Sequence, residues 1–236
     1  MAREQLNAYT WHAFADGPQL AAALAGHVAG RLTKAIAERG TGLLAVSGGT
    51  TPAKFFATLS KIPIAWDRVT VTLVDERFVP ASSPRSNAGL VAANLLQNAA
   101  AAARFVPLYH EAAGIETAAA SDDAALQSLP WPLDVVVLGM GTDGHTASFF
   151  PDADNLAKLL DPSSTRIVLP VHAASAGEPR LTLALARILA AGFIALHIEG
   201  EDKRTAFDGA MGPGARKPIR AVIDAAPKAV EVFWAP

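Results

Sequence analysis

The chain has 236 residues, 51% of them hydrophobic and 18% charged, with a formal net charge of -2. That supply of apolar residues supports a sizeable core, and the near-neutral balance argues against a general nucleic-acid binder, which carries a basic face. The absence of cysteine excludes a disulfide framework, a thiol nucleophile and any thiolate metal site.

Residues 1–10 include Glu4 and no continuous apolar stretch, so no signal peptide is expected there. No apolar run approaches the roughly 18–20 residues of a membrane span. The expected setting is the cytoplasm, with no membrane or nucleic-acid partner. Trp11–Phe14 reads as a short strand. Asp16 caps a helix with Pro18 in its first turn that runs to Arg39, and Gly40 stands at its C-terminal end. Gly42–Val46 is a buried strand and Pro52–Ser60 a helix. Val69–Val74 is another strand, followed by a loop and a helix from about Asn87 to Asn98. Ala99–Ala103 reads as helix surface or a helix end. Phe105–Leu108 is a weak strand and Leu133–Leu138 a strong one. Arg166–Val171, Phe193–His197 and Val230–Trp234 complete the strands, with helices near Thr182–Ala190 and Glu201–Ala210 between them.

Short apolar strands separated by helices predict an α/β fold with a mostly parallel sheet covered on both faces. One unit over 1–236 is expected. In such sheets ligands bind beyond the carboxyl ends of the strands, which directs attention to the loops after Val46, Val74 and Leu138.

The first loop is Ser47-Gly-Gly-Thr-Thr-Pro52. Its two glycines let the backbone turn sharply and approach a ligand. Thr51 is placed to cap the helix, with Pro52 at its first position. Free N–H groups at a helix start make an anion site. The lysine of the triphosphate-binding loop pattern is missing, so a nucleoside triphosphate is not expected.

The second loop, Asp75-Glu-Arg-Phe-Val-Pro80, runs on to Ser86-Asn87. Three charged residues directly after a buried strand suggest a hydrogen-bonding Asp75 and an electrostatic Arg77 aimed at an anion or oxyanion. Glu76 reads as a solvated partner, and Ser86 and Asn87 as candidate helix caps.

The third loop, Gly139-Met-Gly-Thr-Asp-Gly-His-Thr-Ala-Ser148, contains G-x-G-x-x-G after a strand. Pro151 interrupts the helix that a dinucleotide site needs, and the next strand ends without a ribose-binding acid. Asp143 and His145 suit acid–base chemistry instead, the carboxylate setting the histidine's tautomer. The other five histidines form no H-x-H or H-E-x-x-H pattern, so no zinc site and no other metal is expected.

Taken together, these three loops resemble the signatures of the 6-phosphogluconolactonases, which belong with the glucosamine-6-phosphate deaminases/isomerases. The likeness runs from about Ser47 to Trp234 and takes in Pro179-Arg-Leu-Thr182, Gly200-Glu-Asp-Lys203 and Val232-Phe-Trp-Ala-Pro236. It implies a Rossmann-like, doubly wound sheet, no cofactor, and hydrolysis of 6-phospho-D-glucono-1,5-lactone in the oxidative pentose phosphate pathway; a monomer or small homo-oligomer is expected. It further implies that Gly48, Gly49, Thr50, Asn87, Arg180 and Lys203 bind substrate, Arg180 and Lys203 facing its phosphate, with Arg77 contributing to both binding and catalysis. Arg180 is expected just before a helix and Lys203 in the first turn of one. Arg216, Lys217 and Arg220 are read as a solvated face.

The expected mechanism has His145 activating water, oriented by Asp143, Asp75 or both. Arg77 and N–H groups around Gly141–Thr142 are the candidate oxyanion donors. The deaminase relatives carry a glutamate five residues after the histidine, where this chain has Phe150. An apolar ring cannot transfer a proton, so ring-opening deamination is disfavoured and an apolar pocket wall is expected there. A non-catalytic sugar-phosphate-binding module is the other alternative; it would have no need of Asp143 and His145.

Overall fold

Three fully buried runs form the middle of the main sheet: β2 (Gly42–Val46), β3 (Val69–Leu73) and β6 (Val135–Leu138). Strands buried on both faces read as continuous β-branched and aliphatic runs, which is the pattern here. In this computed structural model, which describes residues 8–236, they join β1 (Tyr9–Ala13), β5 (Arg104–Val106), β9 (Phe193–Glu199) and β10 (Val230–Ala235). The strand order is β1-β10-β9-β6-β2-β3-β5, and every pairing is parallel. Residues 1–7, on which most of the signal-peptide reading falls, lie outside the described residues. No helix among the described residues is long and apolar enough to cross a membrane.

The crossovers are helices that bury one stripe. In α1 (Gly17–Arg39), Leu20, Leu24, Val28 and Leu32 repeat every four residues and are wholly buried. Asp16 Oδ1 accepts the Gln19 N–H at 2.8 Å, and Gly40 closes the helix at φ 79, both as the sequence indicates. Helix α2 (Ala53–Leu59) is only seven residues long. Pro52 occupies its cap position and no side chain caps it, so Thr51 does not take the expected capping role. Helix α3 (Asn87–Asn94) is capped by Ser86, whose Oγ accepts the Gly89 N–H at 3.1 Å. It ends earlier than expected, and Asn98–Ala102 forms a short 3₁₀ turn.

From β2 the chain moves outward through β3 to β5, then returns to place β6 on the other side of β2. The sheet therefore has its switch point between β2 and β6, where a crevice opens beyond the carboxyl ends. The first and third loops of the sequence emerge on either side of it.

Several segments differ from expectation. Asp75–Arg77 is not a loop but a strand, β4, paired antiparallel with β8 (Arg180–Leu183), which pairs in turn with β7 (Val168–Val171). The run containing β7 thus leaves the parallel sheet for a separate antiparallel one, with its Pro170 on an edge strand where a missing N–H is tolerated. This small sheet hangs from the end of β3, the Leu183 N–H donating to the Val74 carbonyl at 2.8 Å. Arg180 accordingly opens a strand, and the helix expected over 182–190 shrinks to α6 (Leu185–Leu189). Three helices were not foreseen, α4 (Ile115–Leu126), α8 (Pro218–Ala225) and the single turn α5 (Leu156–Leu159). Arg216 and Lys217 before α8 are exposed as read, but Arg220 is half-buried and pairs with Asp224 at 2.7 Å. The remaining helix is α7 (Glu201–Met211).

Glu76 is the clearest correction. It is wholly buried rather than solvated. Its carboxylate accepts from the backbone of Arg77, Asn87 and Ala88 at 2.7–2.8 Å and from Ser86 Oγ at 3.0 Å. Burial pushes its pKa above the ordinary 4.5 although these four donors pull the other way. The charge that looked like surface decoration ties the start of α3 to β4, and so positions Asn87 and Arg77.

Candidate active site

The turn Ser47–Pro52 is shaped by what it must pass. A Cβ on Gly48 would lie 1.9 Å from Asn87 Oδ1, so only glycine admits the asparagine there. Asn87 is in turn anchored by its Nδ2, which donates to the Asp75 carbonyl at 2.8 Å. Gly48, Gly49, Thr50 and Asn87 line one cavity at the switch point.

Across it stand the charged residues. Asp75, Arg77, His145, Arg180 and Lys203 line the same cavity. Arg77 and Arg180 are opposite one another in the β4–β8 pairing, and two guanidinium groups held together require an anion between or beside them. Part of that need is met by the protein: Arg180 lies 3.4 Å from Glu178 and donates to the Ala176 carbonyl at 2.8 Å. Burial lowers the Arg180 pKa, with Asp75 opposing and Arg77 adding to the effect. Arg77 donates to the Arg85 carbonyl. The Nε of each arginine is buried with no partner among the described residues. Lys203, in the first turn of α7 as expected, donates to the Met140 carbonyl at 2.7 Å. Its pKa is lowered by burial, while Asp143 and Asp202 oppose the shift.

The third loop folds around its own acid–base pair. Asp143 Oδ1 lies 2.6 Å from His145 Nδ1 and accepts the His145 N–H at 3.1 Å. A Cβ on Gly141 would come within 2.2 Å of His145 Nδ1 and 2.4 Å of Asp143 Oδ1, so the pair folds back over a glycine that leaves room for it. Burial raises the Asp143 pKa, but the charge and hydrogen bonds of His145 outweigh this and leave it below the ordinary 3.8. Asp143 itself stands behind the histidine rather than on the cavity wall.

Asp75 does not share that task. Its Oδ2 accepts from the buried Ser148 Oγ at 2.7 Å. Of the two carboxylates read from the sequence, Asp143 is the one hydrogen-bonded to the imidazole. The Gly141 N–H is likewise occupied, donating to the His145 carbonyl at 2.9 Å, and is not free for a ligand. Phe150 is buried but not on the cavity wall where an apolar surface was expected. It stacks on His145 at 4.4 Å between ring centroids, and Arg180 lies over its ring at 5.5 Å. Sequence reasoning missed Ser148, the stacking of Phe150 and the cavity-lining His197; only a serine and an aromatic near a catalytic-looking histidine hinted at the first two. The G-x-G-x-x-G segment meets no helix start, since Thr146 and Phe149 close a tight bridge before Pro151.

Fold and cleft together define an α/β enzyme with three cations lining a cavity beside an Asp–His pair. The family described as glucosamine-6-phosphate isomerases/6-phosphogluconolactonase matches residues 15–234. A 6-phosphogluconolactonase of Mesorhizobium japonicum is 84% identical with both chains covered in full, and one of Rhizobium meliloti is 52% identical over 95% of this chain and 98% of its own. The solved structure of a 6-phosphogluconolactonase from Shewanella baltica superposes with a TM-score of 0.93 at 37% identity, over 97% of this chain and 98% of that one. The chain belongs to the glucosamine-6-phosphate isomerase/6-phosphogluconolactonase family.

Proposed function

We propose that this protein hydrolyses 6-phospho-D-glucono-1,5-lactone to 6-phosphogluconate, the lactone-opening step of the oxidative pentose phosphate pathway, with His145 as the general base. The observation that carries this reading is one cavity holding a glycine turn, three cations and an Asp-bound histidine, in a chain 84% identical to a 6-phosphogluconolactonase.

The phosphate is held by the Gly48–Thr50 amides, Arg180 and Lys203. Because α2 is short, the cations and the turn's own N–H groups carry most of this binding. With Nδ1–H given to Asp143, the Nε2 lone pair of His145 accepts a proton from water as the water oxygen bonds to the lactone carbonyl carbon. Arg77 faces the resulting oxyanion. Collapse of the tetrahedral species breaks the bond to the ring oxygen, which takes the proton back from His145. Anchoring at the remote phosphate supplies the binding energy that holds the carbonyl over the base.

Phe150 supports the base by stacking on its ring. Phe150→Leu keeps apolar volume but removes the ring face, an interaction of about 1 kcal/mol, so kcat should fall by about 3–10-fold with the fold retained. Steady-state rates beside a thermal melt measure both.

The same residue separates this chemistry from deamination, which needs a second proton-transfer group near the sugar ring oxygen. Incubation with glucosamine 6-phosphate should release no ammonia above background while the phosphorylated lactone is consumed. Ammonia release at a rate comparable with lactone loss would move the reading to the deaminase branch.

A further inference from the structure

His197 is the buried titratable residue that this mechanism leaves unused. It sits near the carboxyl end of β9, 3% exposed, and lines the cavity. The pairing of Leu138 with Leu196 sets it beside Gly139, which has no side chain to cover it. Phe55 of α2 packs edge-on against its ring at 6.0 Å, so the imidazole lies on the side of the sheet reached by the Ser47–Pro52 turn and its helix.

One ring nitrogen is committed. Nε2 lies 3.0 Å from Glu199 Oε1, and this hydrogen bond holds the Glu199 pKa below its ordinary value. The other nitrogen, Nδ1, is buried with no partner among the described residues. A buried polar atom left unpaired is costly. Six side-chain atoms are in this condition among the described residues, and four of them, Ser47 Oγ, Arg77 Nε, Arg180 Nε and His197 Nδ1, belong to residues lining this one cavity. Such a concentration points to a ligand that satisfies them together.

We propose that His197 is a further phosphate ligand, binding as the imidazolium with Nε2–H on Glu199 and Nδ1–H donated to a phosphate oxygen at the Ser47–Pro52 turn. The inference rests on the reading of this cavity as a sugar-phosphate site. The charged and titratable groups around the imidazole are Glu199 on its own strand, Lys54 of α2 at 3.8 Å from Glu199, and, lining the same cavity, Asp75, Arg77, His145, Arg180 and Lys203. With Nε2 on the Glu199 carboxylate and Nδ1 facing a phosphate oxygen, the ring needs a proton on each nitrogen, so binding draws a proton onto His197.

Calorimetric titration of the full-length protein with 6-phosphogluconate, in buffers of differing ionisation heat, tests this. At about pH 8 a phosphate monoester is already a dianion, its second pKa being about 6, so proton uptake must come from the protein. The wild type should take up a fraction of a proton per site. His197→Asn keeps an amide donor near the Nδ1 position but cannot titrate. It should bind about 10-fold more weakly, as expected for loss of a charge-assisted contact, with proton uptake abolished and KM for the phosphorylated lactone raised more than kcat is lowered. Lys203→Ala should also bind weakly but retain the uptake. Binding by the wild type without proton uptake, or uptake that persists in His197→Asn, overturns the assignment. If the wild type does not bind 6-phosphogluconate at all, the sugar-phosphate reading of the cavity fails first and this inference falls with it.

Discussion

Replacing His145 by alanine should lower kcat for the phosphorylated lactone by about 10²–10⁴-fold, the usual worth of positioned acid–base catalysis, with KM little changed. The geometry accounts for the expected split. His145 is half-buried on the cavity wall, its Nδ1 tied to Asp143 and its ring stacked on Phe150, so its removal leaves the phosphate anchors untouched. Asp143, with its pKa below 3.8, is ionised before an imidazole begins to titrate. Asp143 should therefore remain an anionic partner for the imidazole as the assay pH is lowered, and should not itself cause a loss of rate. Rates corrected for spontaneous lactone hydrolysis, measured across pH, check both points. An unaltered corrected rate would remove His145 from the mechanism.

Arg180→Ala and Lys203→Ala should each weaken binding of 6-phosphogluconate by about 1.5–3 kcal/mol, the worth of a hydrogen bond to a charged group, or roughly 10–150-fold in Kd. The two losses differ in character. Arg180 also lies over the Phe150 ring that supports His145, so its removal should reduce kcat in addition to affinity. Lys203 donates to the Met140 carbonyl of the third loop and should act mainly on binding. A lysine whose pKa is lowered gives up its charge at a lower pH than a free one. Affinity for the phosphate dianion should accordingly decline on the alkaline side before pH reaches the ordinary lysine value of 10.5, and Lys203→Arg should extend binding upward. Calorimetric Kd values over an alkaline series decide this.

Where physical signals were local, the sequence was sufficient. Asp16 and Gly40 bracket α1, and Gly42–Val46 is a strand with the boundaries its apolar run predicts. The three loops were found because a buried strand followed abruptly by glycine or charge marks a carboxyl edge, and the sheet does bring nine of the ten predicted residues to one cavity, with Asp143 directly behind. What could not be read depends on partners distant in the chain. Glu76 differs from a surface glutamate only because four donors, three of them ten or more residues ahead, converge on it. Charged Asp75–Arg77 is a poor strand by propensity, and it becomes one because β8, a hundred residues later, supplies the ladder. The choice between Asp75 and Asp143 was equally invisible, since it turns on Ser148 capturing the first. Phe150 was read as a pocket wall from its place in the motif; the tight bridge at Thr146–Phe149 instead turns it under the imidazole.

In the proposed mechanism a phosphate anchored in this cavity delivers a lactone carbonyl to the His145 base. The most direct test compares the disappearance of 6-phospho-D-glucono-1,5-lactone with that of unphosphorylated D-glucono-1,5-lactone on the purified protein, each corrected for spontaneous hydrolysis. Loss of several charge-assisted contacts at once should cost the unphosphorylated lactone at least about 100-fold in kcat/KM. Equal efficiency toward the two lactones would contradict the phosphate-anchored mechanism.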